Sequence, residues 1–80
     1  MHFVYLIRSV HHQQETYVGC TENLDARLEA HNAGRSHHTA KFKPWMLVTF
    51  VGFPDADKAY AFEKYMKSGS GRAFASKHFW

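Results

Sequence analysis

Two short aromatic strings constrain this chain most. They are Phe3-Val4-Tyr5 and Tyr17-Val18-Gly19, with Tyr17 twelve residues after Tyr5. Each lies in an apolar, β-branched run, so each is predicted to be a strand. Residues 3–10 form the first and residues 16–20 the second, and the polar stretch His11 to Glu15 forms the turn of an antiparallel hairpin. Gly19 sits at the end of the second strand, where a missing side chain lets another group approach the backbone closely.

The rest of the chain alternates helix and strand signals. Thr21 to Asn32 is predicted to be a helix, with Thr21 or Asn23 as its cap and Leu24 and Leu28 toward the core. Asn32-Ala33-Gly34 ends it. Arg27 and His31, four apart, share a face beside the leucine stripe, at the border of core and solvent. Residues 35–44 are a basic, histidine-rich loop, and residues 45–53 are a third strand. Asp55 is the expected N-cap of a second helix that runs to about Lys67. Gly69-Ser70-Gly71 is expected to break the chain before a short last helix over residues 72–79. The order β-β-α-β-α-α implies an α/β fold with a three-stranded mixed sheet flanked by helices.

Eighty residues suffice for one domain, residues 1–80, and leave no room for a second. A hydrophobic fraction of 45% and an aromatic fraction of 16% belong to a folded chain, and Phe3, Phe50, Phe53, Phe62 and Phe74 are the expected core. One cysteine, Cys20, excludes an internal disulfide framework and a cysteine zinc site. Met1-His2-Phe3 runs straight into a strand pattern, so no leader is expected. No apolar run reaches about 18 residues, so no membrane span is expected and the setting is read as cytoplasmic. A net charge of +3 with seven histidines in reserve suits a polyanionic partner.

Five residues could carry chemistry. Glu63 lies on or beside the apolar stripe of the second helix. It can pair with Lys67 at i+4, or hold a Mg²⁺ that keeps most of its waters and takes a phosphate oxygen. Arg27 is either a solvated helix arginine or a planar phosphate clamp. His31 is a hydrogen-bonded border histidine or a proton handler. Tyr5 and Tyr17 are packing tyrosines with tied hydroxyls, or phenols able to act as a base where cationic neighbours lower the pKa. The adjacent His37-His38 pair has no cysteine or carboxylate cluster to join in a metal site. Contact with phosphate by His37, His38, Lys41 and Lys43 is expected instead.

In this order the residues resemble the GIY-YIG nuclease domain family, in its small stand-alone bacterial form related to the N-terminal nuclease domain found in excinuclease ABC. The resemblance runs from Phe3-Val4-Tyr5-Leu6-Ile7-Arg8-Ser9 through Thr16-Tyr17-Val18-Gly19-Cys20-Thr21 and Asn23 to Asn32. It continues through Lys43-Pro44-Trp45 and Glu63-Lys64 to Lys67-Ser68-Gly69-Ser70-Gly71-Arg72. It implies a GIY-YIG fold and a Mg²⁺- or Mn²⁺-dependent endonuclease or nickase that hydrolyses DNA phosphodiester bonds in repair or processing. Tyr5, Tyr17, Arg27, His31 and Glu63 would be catalytic, with Glu63 the metal ligand. Tyr5 would be the base and His31 would take up its proton. Tyr17 would orient the phosphate, the two tyrosine roles being exchangeable. His38, Lys41, Lys43 and Arg72 would bind the nucleic acid, and no small-molecule cofactor is implied. A second copy of the chain or a partner protein would add selectivity. The alternative is a nucleic-acid-binding module of the same fold that cuts weakly. Three departures stand out. No glycine precedes Val4-Tyr5, Cys20 replaces a basic residue, and Ser68-Gly69-Ser70-Gly71 lacks the late asparagine.

Overall fold

A computed structural model describes residues 1–80. Its elements are β1 (His2–Ser9), β2 (Thr16–Thr21), α1 (Leu24–Asn32), β3 (Trp45–Phe53), α2 (Ala56–Met66) and α3 (Gly69–His78), with one 3-10 turn at Ala40–Phe42 before β3. No helix is long and apolar enough to cross a membrane.

The sheet runs β2-β1-β3, and β1 pairs antiparallel with both neighbours. The expected mixed sheet is therefore antiparallel throughout. The crossover from β2 through α1 to β3 does return the chain in the direction of β2, as a β-α-β unit does. But β3 lands on the far side of β1, so the two parallel strands never touch.

Alternation along β1 splits the molecule into two layers. Tyr5 and Ile7 face α1 and form a cluster with Trp45, Tyr17, Leu24, Leu28, Phe42 and Leu47. Leu6 faces the other way, onto Met66 of α2 and Ala75 of α3, with Val18, Phe62, Phe79 and Trp80 around them. A register shift between Leu6 and Ile7 leaves Val48 as an extra residue on β3. This bulge reverses the alternation of β3, which is how Trp45 and Leu47 come to share the α1 face with Ile7.

The core is smaller than the phenylalanine content suggests. Val4, Leu6 and Ile7 are completely buried, whereas Phe50 is 48% and Phe74 38% exposed. Phe3, Phe53 and Phe62 are half-buried. The reason is coverage: α1 has nine residues, about 14 Å of helix. It shields the Tyr5–Ile7–Ser9 end of its face and leaves Phe3 and Phe50 packed edge to face at the other, ring centres 5.7 Å apart.

The caps follow local chemistry. Asn23 caps α1 by accepting from the Ala26 amide, while the Thr21 hydroxyl takes the Asn23 amide. Asp55 caps α2 through the Asp57 amide. The expected break at Gly69-Ser70-Gly71 is instead the first turn of α3, because Ser68 caps it at the Gly71 amide. The glycine is needed for contact: a Cβ on Gly71 would overlap the backbone of Tyr65 and Met66. This is how α3 folds back tightly against the end of α2.

Candidate active site

β1 and β2 set the first part of the site by register. Tyr5 stands opposite Gly19, and Tyr17 stands opposite Ile7. Both phenols therefore rise from the α1 face of the hairpin, with ring centres 6.4 Å apart. A Cβ on Gly19 would overlap the Tyr5 phenol, so the glycine is the space through which that ring extends.

α1 brings two residues onto the Tyr5 hydroxyl. The Arg27 Nε–H donates to Tyr5 Oη at 3.2 Å, and Tyr5 Oη lies 2.8 Å from His31 Nε2. On the other side of the imidazole, Nδ1 lies 2.7 Å from Thr39 Oγ1. The Thr39 hydroxyl in turn donates to the Ser36 carbonyl at 3.4 Å. The protons follow from the donor inventory. Assigning the Thr39 proton to Ser36 makes Nδ1 the donor to Thr39. Nε2 then accepts, and the Tyr5 hydroxyl donates to it while receiving Arg27. One directed chain runs from Arg27 through Tyr5, His31 and Thr39 to Ser36.

His31 is not the border residue expected from its helix position. It is 0% exposed, and Thr39 beside it is 1% exposed. The loop after α1 folds over the helix end and is fastened there. The Trp45 indole N–H donates to the Thr39 carbonyl at 2.9 Å. The Asn32 side chain grips the start of β3, donating to the Trp45 carbonyl at 3.2 Å and accepting its amide at 2.5 Å. Sequence reasoning missed Thr39 and Asn32 in these roles. Asn32 read only as a helix stop, and no local pattern marks Thr39.

The environment tunes each group. Burial pushes the Tyr5 phenol above its usual pKa, opposed by the Arg27 hydrogen bond and charge, with Tyr17 and Glu63 adding smaller upward pushes. Burial, then the Arg27 charge, holds His31 below the ordinary histidine value, so it is neutral near pH 7. The hydrogen bond with Tyr5 tightens the hold of Arg27 on its proton. That bond uses Nε alone, and the guanidinium has further N–H donors to offer a phosphate.

Glu63 comes from the other layer. It is on α2, and its charge is felt by both Tyr5 and Cys20. The pairing expected at i+4 is present: Lys67 Nζ sits 3.0 Å from Glu63 Oε2, with 24% of the glutamate side chain exposed. Lys67 also lies over the Tyr17 ring, 5.6 Å from its centre. The pair is partly solvated and so contributes little to stability. It leaves Oε1 without a hydrogen-bond partner.

The chain gathers Tyr17, Arg27 and His31 around the Tyr5 phenol, with Glu63 reaching it only through its charge, and it does not gather the four expected nucleic-acid contacts. His38, Lys41 and Lys43 are exposed on the loop between α1 and β3, Lys41 lying over the Phe42 ring. Arg72 is on α3, in the opposite layer. His37 and His38 stack edge to face, and no group of three or more histidine, cysteine or acidic side chains converges to cage a metal. Ser68, a stand-in for the late asparagine, is committed to the helix: its hydroxyl donates to the Tyr65 carbonyl and accepts the Gly71 amide. Burial, then the Glu63 charge, raises the Cys20 pKa and so disfavours its thiolate.

Comparison with known proteins places the chain in a family. Residues 1–76 match the GIY-YIG catalytic domain. The chain is 39% identical over 67 residues to the Structure-specific endonuclease subunit SLX1 of Debaryomyces hansenii, covering 75% of this chain and 19% of that protein. It is 32% identical over 82 aligned positions to the same protein of Candida dubliniensis, covering 94% of this chain and 27% of that protein. With the SLX1 homolog of Drosophila mojavensis it shares 41% identity over 69 residues, 75% of this chain and 23% of that protein. The chain thus spans about a fifth to a quarter of the length of the curated relatives it matches. With the match covering nearly its whole length, the chain belongs to the GIY-YIG family.

Proposed function

We propose that this protein is a DNA endonuclease or nickase that hydrolyses phosphodiester bonds at the Tyr5 site. The observation that carries the reading is the hydrogen-bonded chain Arg27–Tyr5–His31–Thr39. It links a phenol that is only 2% exposed to a neutral buried imidazole. Water attacks phosphorus and gives its proton to Tyr5 Oη as the tyrosine proton passes to His31 Nε2; the bond from phosphorus to the leaving oxygen breaks, and that oxygen takes a proton from solvent. The phenol, its pKa raised by burial, acts as a relay, and the proton ends on His31, which burial and the Arg27 charge make a weaker base than an ordinary histidine. His31 keeps its Nδ1–H on Thr39 throughout. Arg27 steadies the charge that grows on the phosphate oxygens, and Tyr17 orients the phosphate.

A divalent cation, Mg²⁺ or Mn²⁺, fits the donor set at Glu63. One carboxylate with a free oxygen suits a hard ion that keeps its waters and shares a phosphate. It does not suit the closed tetrahedral site of zinc. When bound, the ion would neutralise charge at the phosphate and the leaving oxygen. The relatives' printed names describe structure-specific endonuclease subunits. We extend that to this chain: branched or otherwise irregular DNA as substrate, and a partner protein or second copy to supply selectivity.

A second reading, binding without efficient cutting, rests on Ser68 being tied up as a helix cap where the family carries an asparagine. Incubation with supercoiled plasmid in Mg²⁺, and again in chelator, tests both. Nicking that chelator and Glu63→Ala each abolish supports the enzyme. Retained binding with no nicking selects the module.

A further inference from the structure

A cleft of about 620 Å³ opens on the α2–α3 side of β2, within the size range of small-ligand sites. Its lining includes Arg8, Lys67, Arg72 and Trp80, with Tyr17 at its border and no aspartate or glutamate side chain. Lys67 is paired with Glu63, but neither Arg8 nor Arg72 makes an ion pair. Two unneutralised guanidinium groups therefore face one cavity. The Arg8 Nε is buried and without a hydrogen-bond partner, the only such side-chain atom in the molecule. Leaving a buried charged donor unpaired is costly, and an anion in the cleft removes that cost. The Arg8 guanidinium lies over the Trp80 ring, 5.5 Å from its centre, so a flat apolar surface stands beside the charge. The amide of Gln13 is already spent on the Ser9 and Val10 carbonyls and serves as wall.

Cations without carboxylates, an aromatic face and room for one base describe a nucleotide site. Tyr17 and Lys67 line this cleft and also border the Tyr5 site. We propose that the cleft binds an unpaired nucleotide of the substrate strand next to the scissile phosphate, its phosphate on Arg8 and Arg72 and its base against Trp80. The adjacency to a cleaved phosphate rests on the nuclease reading; the cleft itself would take single-stranded DNA in either case. A base held in a duplex would have to leave its stack to enter. The site therefore favours unpaired ends, flaps and junctions over continuous duplex.

The test is fluorescence anisotropy with a labelled ten-nucleotide oligothymidylate and a duplex of equal length, in chelator, over a salt series. Arg72 is exposed on α3, so Arg72→Gln should fold as the parent does. The single strand is expected to bind more tightly than the duplex. Arg72→Gln is expected to weaken it about tenfold and to lower the salt slope by about 0.7, one phosphate contact on a single strand. In NMR spectra of the indole N–H groups, Trp80 is expected to shift on saturation while buried Trp45 stays. Unchanged affinity and slope in Arg72→Gln, or an unmoved Trp80 resonance, would overturn the proposal. Plasmid nicking separates the two ideas. Nicking with no effect of Arg72→Gln on binding removes the cleft and keeps the nuclease. The expected binding pattern without nicking by any protein keeps the cleft and removes the nuclease.

Discussion

The Tyr5 phenol lies over Gly19, its register partner on β2, in space that any side chain there would occupy. The second aromatic string thus serves the first. Its tyrosine adds a phenol, and its glycine lets the other phenol reach Arg27 and His31. Gly19→Ala is expected to push the Tyr5 ring off both partners. Crowding of this kind costs roughly 1–3 kcal/mol of stability. Misplacing a reacting group by about 1 Å costs on the order of 100-fold in rate. Single-turnover plasmid nicking beside a thermal melt would separate the two effects. A variant that melts lower but cuts at the parental rate would contradict the placement of Tyr5.

Thr39 fixes the tautomer of His31. Thr39→Val keeps the shape and removes the hydroxyl, leaving a buried Nδ1–H without an acceptor. A loss of about 1–3 kcal/mol in denaturant unfolding is expected. So is a changed pattern of ¹⁵N shifts in the His31 ring, since the proton can move to Nε2. An unaltered tautomer would break the directed chain drawn through Thr39.

The two layers were largely legible in the sequence and the fastening between them was not. Strand and helix order follow from apolar alternation and from caps such as Asn23 and Asp55, which are local signals. Gly69-Ser70-Gly71 misled because its glycines answer to contact with Tyr65 and Met66, not to local propensity. Phe50 misled because burial depends on how far nine-residue α1 reaches, and Phe74 because it packs only along the exposed end of α3, against His78 and Phe79. The five candidate residues were visible as a set only in their order along the chain. The pairing of His31 with Thr39, and of Asn32 with Trp45, spans a loop and leaves no periodic mark.

Gly71→Ala is expected to be among the most damaging small substitutions. The added methyl meets backbone, which yields less than a side chain. Overpacking there should cost at least about 2–3 kcal/mol and loosen α3 from α2. A chemical-denaturation midpoint equal to that of the parent would refute this contact.

Acid should weaken both stability and activity through His31. Its folded pKa lies below the ordinary value of 6.5. The unfolded chain therefore binds the proton more readily, and the contribution of neutral His31 is complete above pH 6.5 and falls as pH drops from there toward its folded pKa. Proton transfer from Tyr5 needs the same neutral form, so the cleavage rate should fall over the same acid range. Arg27→Gln removes the charge that helps depress His31, so the His31 pKa should rise in that variant. NMR titration of the imidazole reads this directly, and a fall or no change would contradict the coupling.

The central claim is that Arg27, Tyr5 and Glu63 act on one phosphodiester. Single-turnover nicking of supercoiled plasmid in Mg²⁺ by the parent, Tyr5→Phe, Arg27→Ala and Glu63→Ala tests it most directly. Nicking by the parent, a fall of at least about 100-fold in each variant, and no activity in chelator are expected. Equal residual cutting by all four proteins would contradict it.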